Sequence, residues 1–156
     1  MSKLRTELST ADIEAIVCAI WEAMFGPALP VTPGGEASAV DVVTSLVSVG
    51  GDWQGAVVTH VPTTLGIRLT QELIGTQDAP PREQVIDAMG ELCNIMAGNI
   101  KALRPGLSRL APPRGSFDSA HDWGMPDVTP TATVPFTCDG QVFAVIVLDQ
   151  PAEAAR

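Results

Sequence analysis

Basic residues are scarce in this sequence. Its 156 residues include nine Lys and Arg against eighteen Asp and Glu, which gives a formal net charge of −9 and a pI near 4.4. A negatively charged surface has few Lys and Arg side chains with which to neutralise nucleic-acid phosphates. It is also unsuited to the anionic surface of a membrane. The composition therefore predicts neither nucleic acid nor a membrane as a partner.

Long apolar runs and metal-ligand patterns are missing as well. The apolar run from Phe143 to Leu148 is far shorter than the roughly 20 residues of a membrane helix. No apolar segment follows the charged start, so no signal peptide is expected. Cys18, Cys93 and Cys138 are widely spaced, and neither histidine is near a cysteine, so no zinc site is expected. These features predict a cytoplasmic protein with buried thiols and no bound metal.

What is present is an ordinary globular composition, with 46% hydrophobic and 17% charged residues. The length suits a single domain over residues 1–156 with one core. Apolar periodicity and turn residues predict helices over 11–25, 63–74 and 81–103. The predicted strands cover 39–49, 54–61, 107–110, 131–137 and 141–148. A connector at 30–35 and a loop at 111–127 complete this α+β order.

Local signals mark several of these boundaries. Ser9 followed by Asp12 is a helix-capping pattern, and Gly26-Pro27 is suited to end the same helix. Asp139-Gly140 lies between two apolar runs and is the strongest hairpin signal in the chain.

The two halves of the chain resemble each other. Each has a long helix and a strand hairpin, and Ile13-Glu-Ala-Ile is similar to Ile86-Asp-Ala-Met. Two unrelated hairpins of ordinary turn and strand composition would also give this likeness. A duplicated helix-plus-hairpin unit is the preferred interpretation.

The longest predicted helix carries the residues of chemical interest. Its apolar stripe is predicted to be core and consists of Ile86, Met89, Cys93, Met96, Ile100 and Leu103. A second stripe, about 150° around the axis, contains Asp87, Glu91, Asn94, Gly98 and Lys101. Glu91 and Asn94 are three residues apart, so their side chains are neighbours, and both are predicted to be largely exposed to solvent.

Gly98 stands out on this second stripe. A glycine inside a helix costs about 1 kcal/mol relative to alanine, and close approach by another protein would offset that cost. Exposed Glu and Asn are usually only solvated, and Glu-x-x-Asn occurs by chance in roughly one chain in three to five of this size. Requiring Gly four positions later lowers this to roughly a few per cent, which makes the pattern moderate support for a site.

The stretch Glu91-Leu-Cys-Asn94-Ile-Met-Ala-Gly98 resembles the Glu-x-x-Asn-x-x-x-Gly signature of the CheC/CheX/FliY chemotaxis phosphatases, and Lys101 extends the likeness. The resemblance implies an α+β fold of two related helix-plus-β-hairpin halves, with long helices packed on an antiparallel sheet. If the halves are superposed at Ile13 and Ile86, Cys18 and Trp21 take the places of Glu91 and Asn94. Since neither residue can do the same chemistry, the chain resembles the single-site CheX type.

The same resemblance implies a function. The substrate would be the aspartyl phosphate of a CheY-like receiver domain, with Asn94 holding the attacking water and Glu91 pairing with a receiver lysine. Asp87, Gly98 and Lys101 would help to dock the partner. The receiver would supply its own Mg²⁺, so this chain is expected to bind no cofactor.

A homodimer formed through the sheet is also expected by resemblance. The apolar strand at 141–148 carries no blocking charge or proline, so it is predicted to be an open edge that pairs with a second copy. Two other functions remain open. One is a non-catalytic interaction module, as in the related middle domain of the flagellar switch protein FliM. The other is a ligand-binding α/β domain, but no Gly-rich phosphate loop favours it.

Overall fold

The structure, a computed structural model, describes residues 8–117 and 129–150. The end of the predicted loop, with His121 and Trp123, and the tail after Gln150 lie outside these residues. Three α-helices are present in the described part: α1 (Thr10–Phe25), α2 (Thr63–Ile74) and α3 (Arg82–Leu103). The strands are β1 (Val31–Pro33), β2 (Val42–Gly51), β3 (Gly55–Pro62), β4 (Ser108–Leu110), β5 (Arg114–Ser116), β6 (Thr129–Cys138) and β7 (Gln141–Asp149).

The three predicted helices are confirmed, and local chemistry explains their ends. Asp12 N donates to Ser9 Oγ at 3.0 Å, and Ser9 N donates to the Asp12 carboxylate at 3.2 Å, so the predicted capping box starts α1. Gly75 ends α2 at φ 70°, a conformation that glycine adopts at little cost. None of the helices in residues 8–117 and 129–150 is long and apolar enough to cross a membrane.

The strands form one antiparallel sheet in the order β1-β6-β7-β3-β2-β4, and β5 also pairs with β2. Both predicted hairpins are present, β2–β3 and β6–β7. At the second turn, Asp139 and Gly140 have φ values of 52° and 72°, as the Asp-Gly signal predicts.

The prediction of an open edge at residues 141–148 is wrong. The strand that contains them, β7, pairs with β6 on one side and with β3 on the other, so its backbone groups are used within the chain. The order of strands depends on pairing between distant segments, which an apolar pattern alone does not specify. The argument for a homodimer through this strand therefore fails, and the homodimer itself stays a prediction.

Two short strands were not predicted. Val31–Pro33 lies in the predicted connector and pairs with β6, whereas Arg114–Ser116 lies in the predicted loop and pairs with β2. Each has three residues, and both segments are rich in residues with low strand propensity. They are strands because a longer neighbour supplies their hydrogen-bond partners.

The main core lies between the helices and one face of the sheet. Trp21 of α1 is buried and stacks on Phe143 of β7, with ring centroids 4.6 Å apart and planes 13° apart. From α3, the buried residues are Val85, Met89, Gly90, Leu92, Cys93, Met96, Ala97 and Ile100. The predicted core stripe is therefore right except at its ends, where Ile86 is half-buried and Leu103 is 48% exposed.

The topology confirms two related halves. In the first half, α1 is followed by β1 and the hairpin β2–β3; in the second, α3 is followed by β4 and the hairpin β6–β7. Each short strand pairs with the hairpin of the other half, β1 with β6 and β4 with β2. The halves are thus interlocked at both edges and meet in the centre through β3 and β7.

Candidate functional site

The predicted catalytic pair lies in the middle of α3. Glu91 is exposed and Asn94 is half-buried, so the predicted exposure is right for Glu91 and only partly right for Asn94. Helical geometry places the two side chains about 60° apart around the axis, on the side that faces away from the sheet. Neither has a hydrogen-bond or ion-pair partner in the part of the chain that the structure describes. Both polar groups are therefore available to an external molecule.

Beneath this pair, Cys93 anchors the helix to the sheet. Its side chain is fully buried, and its Sγ donates to the carbonyl oxygen of Val57 at 3.4 Å. Burial raises the pKa of the Cys93 thiol to about 12, because a thiolate cannot be solvated there. Cys93 is therefore a core residue and not a nucleophile.

The three predicted docking residues differ in their surroundings. Asp87 is exposed, one turn before Glu91. Among the described residues, a Cβ placed on Gly98 would meet only Leu110 Cδ1, at 4.0 Å, so their packing does not require glycine there. Lys101 has an internal role, since its Nζ donates to the carbonyl oxygen of Ser108 at 3.1 Å. That bond ties the end of α3 to β4.

One flank of α3 is followed by a segment whose first strand was predicted, at 107–110, but whose packing along the helix was not. We call residues 108–117 the strap; it comprises β4, β5 and the step between them. Its contacts follow the helix turn by turn: Leu110 lies by Gly98, Pro113 by Gly90, Gly115 by Ile86, and Phe117 by Arg82. For the part after β4, the signal in the sequence is the pair Pro112-Pro113, which indicates a stiff connection but not what it packs against.

Asn94 lies beside this strap. It is four residues after Gly90, which contacts Pro113, and four residues before Gly98, which is near Leu110. By helical geometry it is therefore level with Ala111 and Pro112, on the flank of α3 that the strap follows, whereas Glu91 lies further around the helix and is exposed.

The first helix does not repeat the pair, but the predicted superposition of the two helices is wrong by one residue. The buried positions of α1 and α3 match when Ile13 is paired with Val85, Val17 with Met89, and Ile20 with Leu92. This places Ala19 and Glu22, not Cys18 and Trp21, at the positions of Glu91 and Asn94. Buried positions decide the match because they are the ones that pack on the sheet. Trp21 is one of these core residues, so it does not correspond to the outward position of Asn94.

Metal chemistry has no visible support in the described residues. Within 8–117 and 129–150, no group of three or more His, Cys, Asp or Glu side chains could hold a metal ion. The expectation that Mg²⁺ comes with the partner stays a prediction.

Comparisons with solved structures agree on the fold. The chain is similar to a chain of the CheX–CheY–BeF3–Mg²⁺ complex from Borrelia burgdorferi, with a TM-score of 0.72 and 16% identity over 95% of this chain and 100% of that chain. It is also similar to CheX from Vibrio vulnificus, with a TM-score of 0.68 and 18% identity over 88% and 93% of the two chains. A chain of the FliM–SpeE complex from H. pylori gives a TM-score of 0.63 and 9% identity over 99% and 91%.

Comparison with the curated proteins gave no match. The family described as "Chemotaxis phosphatase CheX" matches residues 43–141, which is more than half of the chain and includes all of α3 with Glu91 and Asn94. Together with the sheet and helices described above, this match shows the family. The chain belongs to the CheX family of chemotaxis phosphatases.

Proposed function

We propose that this chain hydrolyses the aspartyl phosphate of a CheY-like receiver domain, with Asn94 positioning the attacking water and Glu91 docking the receiver. The family is one of chemotaxis phosphatases, and a similar fold is present in a structure described as a complex of CheX with CheY, BeF3 and Mg²⁺. The observation that carries the residue roles is the placement of Glu91 and Asn94. They lie next to each other on α3, accessible and without internal partners in the described residues.

A carboxamide suits the role given to Asn94. Its oxygen accepts a hydrogen bond from water while its nitrogen donates to a phosphoryl oxygen, so one side chain can hold the water in line with phosphorus. The water oxygen attacks phosphorus, and the bond from phosphorus to the aspartyl oxygen breaks. The products are the free aspartate carboxylate of the receiver, which is the leaving group, and inorganic phosphate. The protons of the water go to phosphate and solvent. Phosphoryl transfer needs positioning and charge stabilisation more than covalent help.

Glu91 supplies the anion for docking. Its exposed carboxylate can form a charge-assisted hydrogen bond with a lysine of the receiver, which sets the distance between α3 and the phosphorylated site. Asp87 and Lys101 flank this contact, and the open space at Gly98 lets the partner approach the helix closely. The receiver supplies Mg²⁺ together with the phosphoryl group.

A non-catalytic interaction module is the second candidate. It is favoured by the likeness of the fold to a chain of the FliM–SpeE complex. The two candidates differ in one measurable property. A phosphatase accelerates phosphate loss from the receiver, whereas a module only binds it.

The test is phosphate loss from a labelled CheY-like receiver, measured with wild type and with Asn94→Ala. We expect the variant to be slower by about 10²-fold or more while it binds an unreactive BeF3 complex of the receiver nearly as well, because the lost group acts in the transition state. Glu22→Ala, the matched position on α1, is the control and should be fully active. Full activity of Asn94→Ala would refute the role of the residue, and binding without acceleration by wild type would favour the module.

The expected setting of this reaction is a cytoplasmic homodimer. Since β7 is paired on both sides, a dimer must use another surface of the molecule than the predicted edge. Light scattering at micromolar concentration measures the state directly, and a clean monomer would remove the homodimer from the proposal.

A further inference from the structure

The strap is fixed to the rest of the molecule on both sides of the step that lies beside Asn94. On one side, Lys101 Nζ donates to the carbonyl oxygen of Ser108 at 3.1 Å, and Ala111 N donates to Ser48 O at 2.9 Å. On the other side, β5 pairs with β2, and the Arg82 guanidinium lies 4.0 Å from the centre of the Phe117 ring. The step between these anchors has little freedom to move away from α3.

The step itself is stiff. Pro112 and Pro113 have ring-restricted φ angles and no backbone N–H. Pro113 also packs against the helix at Gly90, where an added Cβ would lie 3.4 Å from Pro113 Cβ. Pro113, packed against a glycine, and Pro112 before it therefore form a stiff, exposed step whose contact with α3 lies one turn before Asn94.

Asn94 needs such a step beside it if it is to hold a water in one place. The terminal torsion of an Asn side chain is broad, and Asn94 has no hydrogen-bond partner among the described residues that would fix it. Packing is then the means by which its orientation can be restricted before the partner arrives. Glu91, on the side of α3 away from the strap, has no comparable restriction, which suits a docking residue.

We infer that Pro112 and Pro113 are positioning residues, which orient the Asn94 carboxamide for in-line attack by water on the receiver's phosphoryl group. This inference rests on the proposed function and adds a second element to its site. Preorganising Asn94 raises the rate of the chemical step and leaves the affinity for the receiver nearly unchanged, since the strap acts through Asn94.

Gly115 offers a way to move the strap without touching Asn94. A Cβ on Gly115 would lie 2.7 Å from Ile86 Cγ2, which is too close, so Gly115→Ala should push the strap off the helix. We expect kcat for dephosphorylation to fall by about 10- to 100-fold with KM nearly unchanged. Ile86→Ala removes the opposing methyl group, so the double variant Gly115→Ala/Ile86→Ala should recover most of the rate, and Ile86→Ala alone should be near wild type.

The outcomes separate this inference from the function on which it rests. A wild type that does not accelerate phosphate loss overturns both. An active wild type with an equally active Gly115→Ala, or a folded double variant that stays slow, overturns the positioning role alone. If melting curves show that Gly115→Ala does not fold, the double variant Pro112→Gly/Pro113→Gly tests the positioning role in its place. It loosens the exposed step without a clash and should lower kcat, and an unchanged kcat would overturn the inference.

Discussion

The two long helices of this molecule occupy equivalent places and do different work. Both pack one face on the same side of the sheet, and both are followed by a short strand that pairs with the other half. At equivalent outward positions, α3 carries Glu91 and Asn94, whereas α1 carries Ala19 and Glu22. In the following segments, the strap adds β5 beside β2, but the described residues 34–41 after β1 form no strand.

This difference shows that the residues required by the fold are not the residues of the candidate site. The buried residues of α1 and α3 match along their length, so both halves retain what the core requires. The outward residues and the flanking segment contribute little to the core, and these are where the halves differ. A duplicated fold can therefore hold a single site.

The comparison of the two helices gives α1 a structural role only. The largest effect that tests this role is expected from Trp21→Ala. Trp21 is 1% exposed and packs on Phe143 and Phe25, with ring centroids at 4.6 Å and 5.1 Å. Removing it leaves a large cavity and should lower the free energy of unfolding by about 3–5 kcal/mol. Glu22→Ala, on the exposed side of the same helix, should change it by less than about 0.5 kcal/mol. Urea denaturation measures both, and equal effects would contradict the structural role.

On α3, the docking role of Glu91 is tested by binding. Glu91→Ala should weaken association with the BeF3 form of the receiver by about 2–5 kcal/mol if the ion pair is desolvated in the complex. Glu83→Ala, an exposed acid in the first turn of α3, is the control for loss of one negative charge. Calorimetric titration measures both variants, and similar losses would mean that general charge, not a specific pair, guides docking.

Transplanting the pair to α1 tests whether the motif is sufficient. In an Asn94→Ala background, Ala19→Glu/Glu22→Asn puts the same two side chains on the first helix. We expect no recovery of dephosphorylation, because α1 lacks the strap that restricts the carboxamide. The measurement is phosphate release under the conditions used for wild type. A clear recovery would show that the flanking segment is dispensable.

The smallest expected effect concerns the two helix cysteines. Cys18 of α1 is half-buried, and its pKa is raised by burial and by the neighbouring Glu14 carboxylate. Cys93 of α3 is fully buried with a pKa near 12. Because the thiolate is the reacting form, brief alkylation should label Cys18 first and faster as the pH rises, with Cys93 unlabelled in the folded protein. Mass spectrometry of the peptides identifies the order, and early labelling of Cys93 would contradict its burial.

The sequence predicts what is decided locally. Ser9 with Asp12, Gly26 and Asp139-Gly140 set helix and hairpin ends through neighbouring residues, and these predictions are confirmed. The central place of β7 and the strands β1 and β5 arise from pairing between distant segments, so local patterns missed them.

The candidate site shows the same division. Periodicity correctly placed Glu91 on the exposed side of α3, where the position of a side chain depends only on the geometry of the helix. Asn94 is half-buried and so more buried than predicted, and it lies on the flank of α3 that the strap follows. The superposition of α1 on α3 was misplaced because short identities were matched in place of buried positions.

The central pairing of β3 with β7 has a consequence during protein synthesis. β3 is made well before β7, so one of its edges has no partner until the ribosome has added the whole of α2, α3, the strap and β6. At typical rates of translation, this interval is on the order of ten seconds. During that time the backbone groups of β3 that later pair with β7 can pair with a strand of another chain, and Val57 and Val58 lie along that edge. The nascent first half therefore has an unpaired strand edge, which can associate with other chains until the second half closes the sheet.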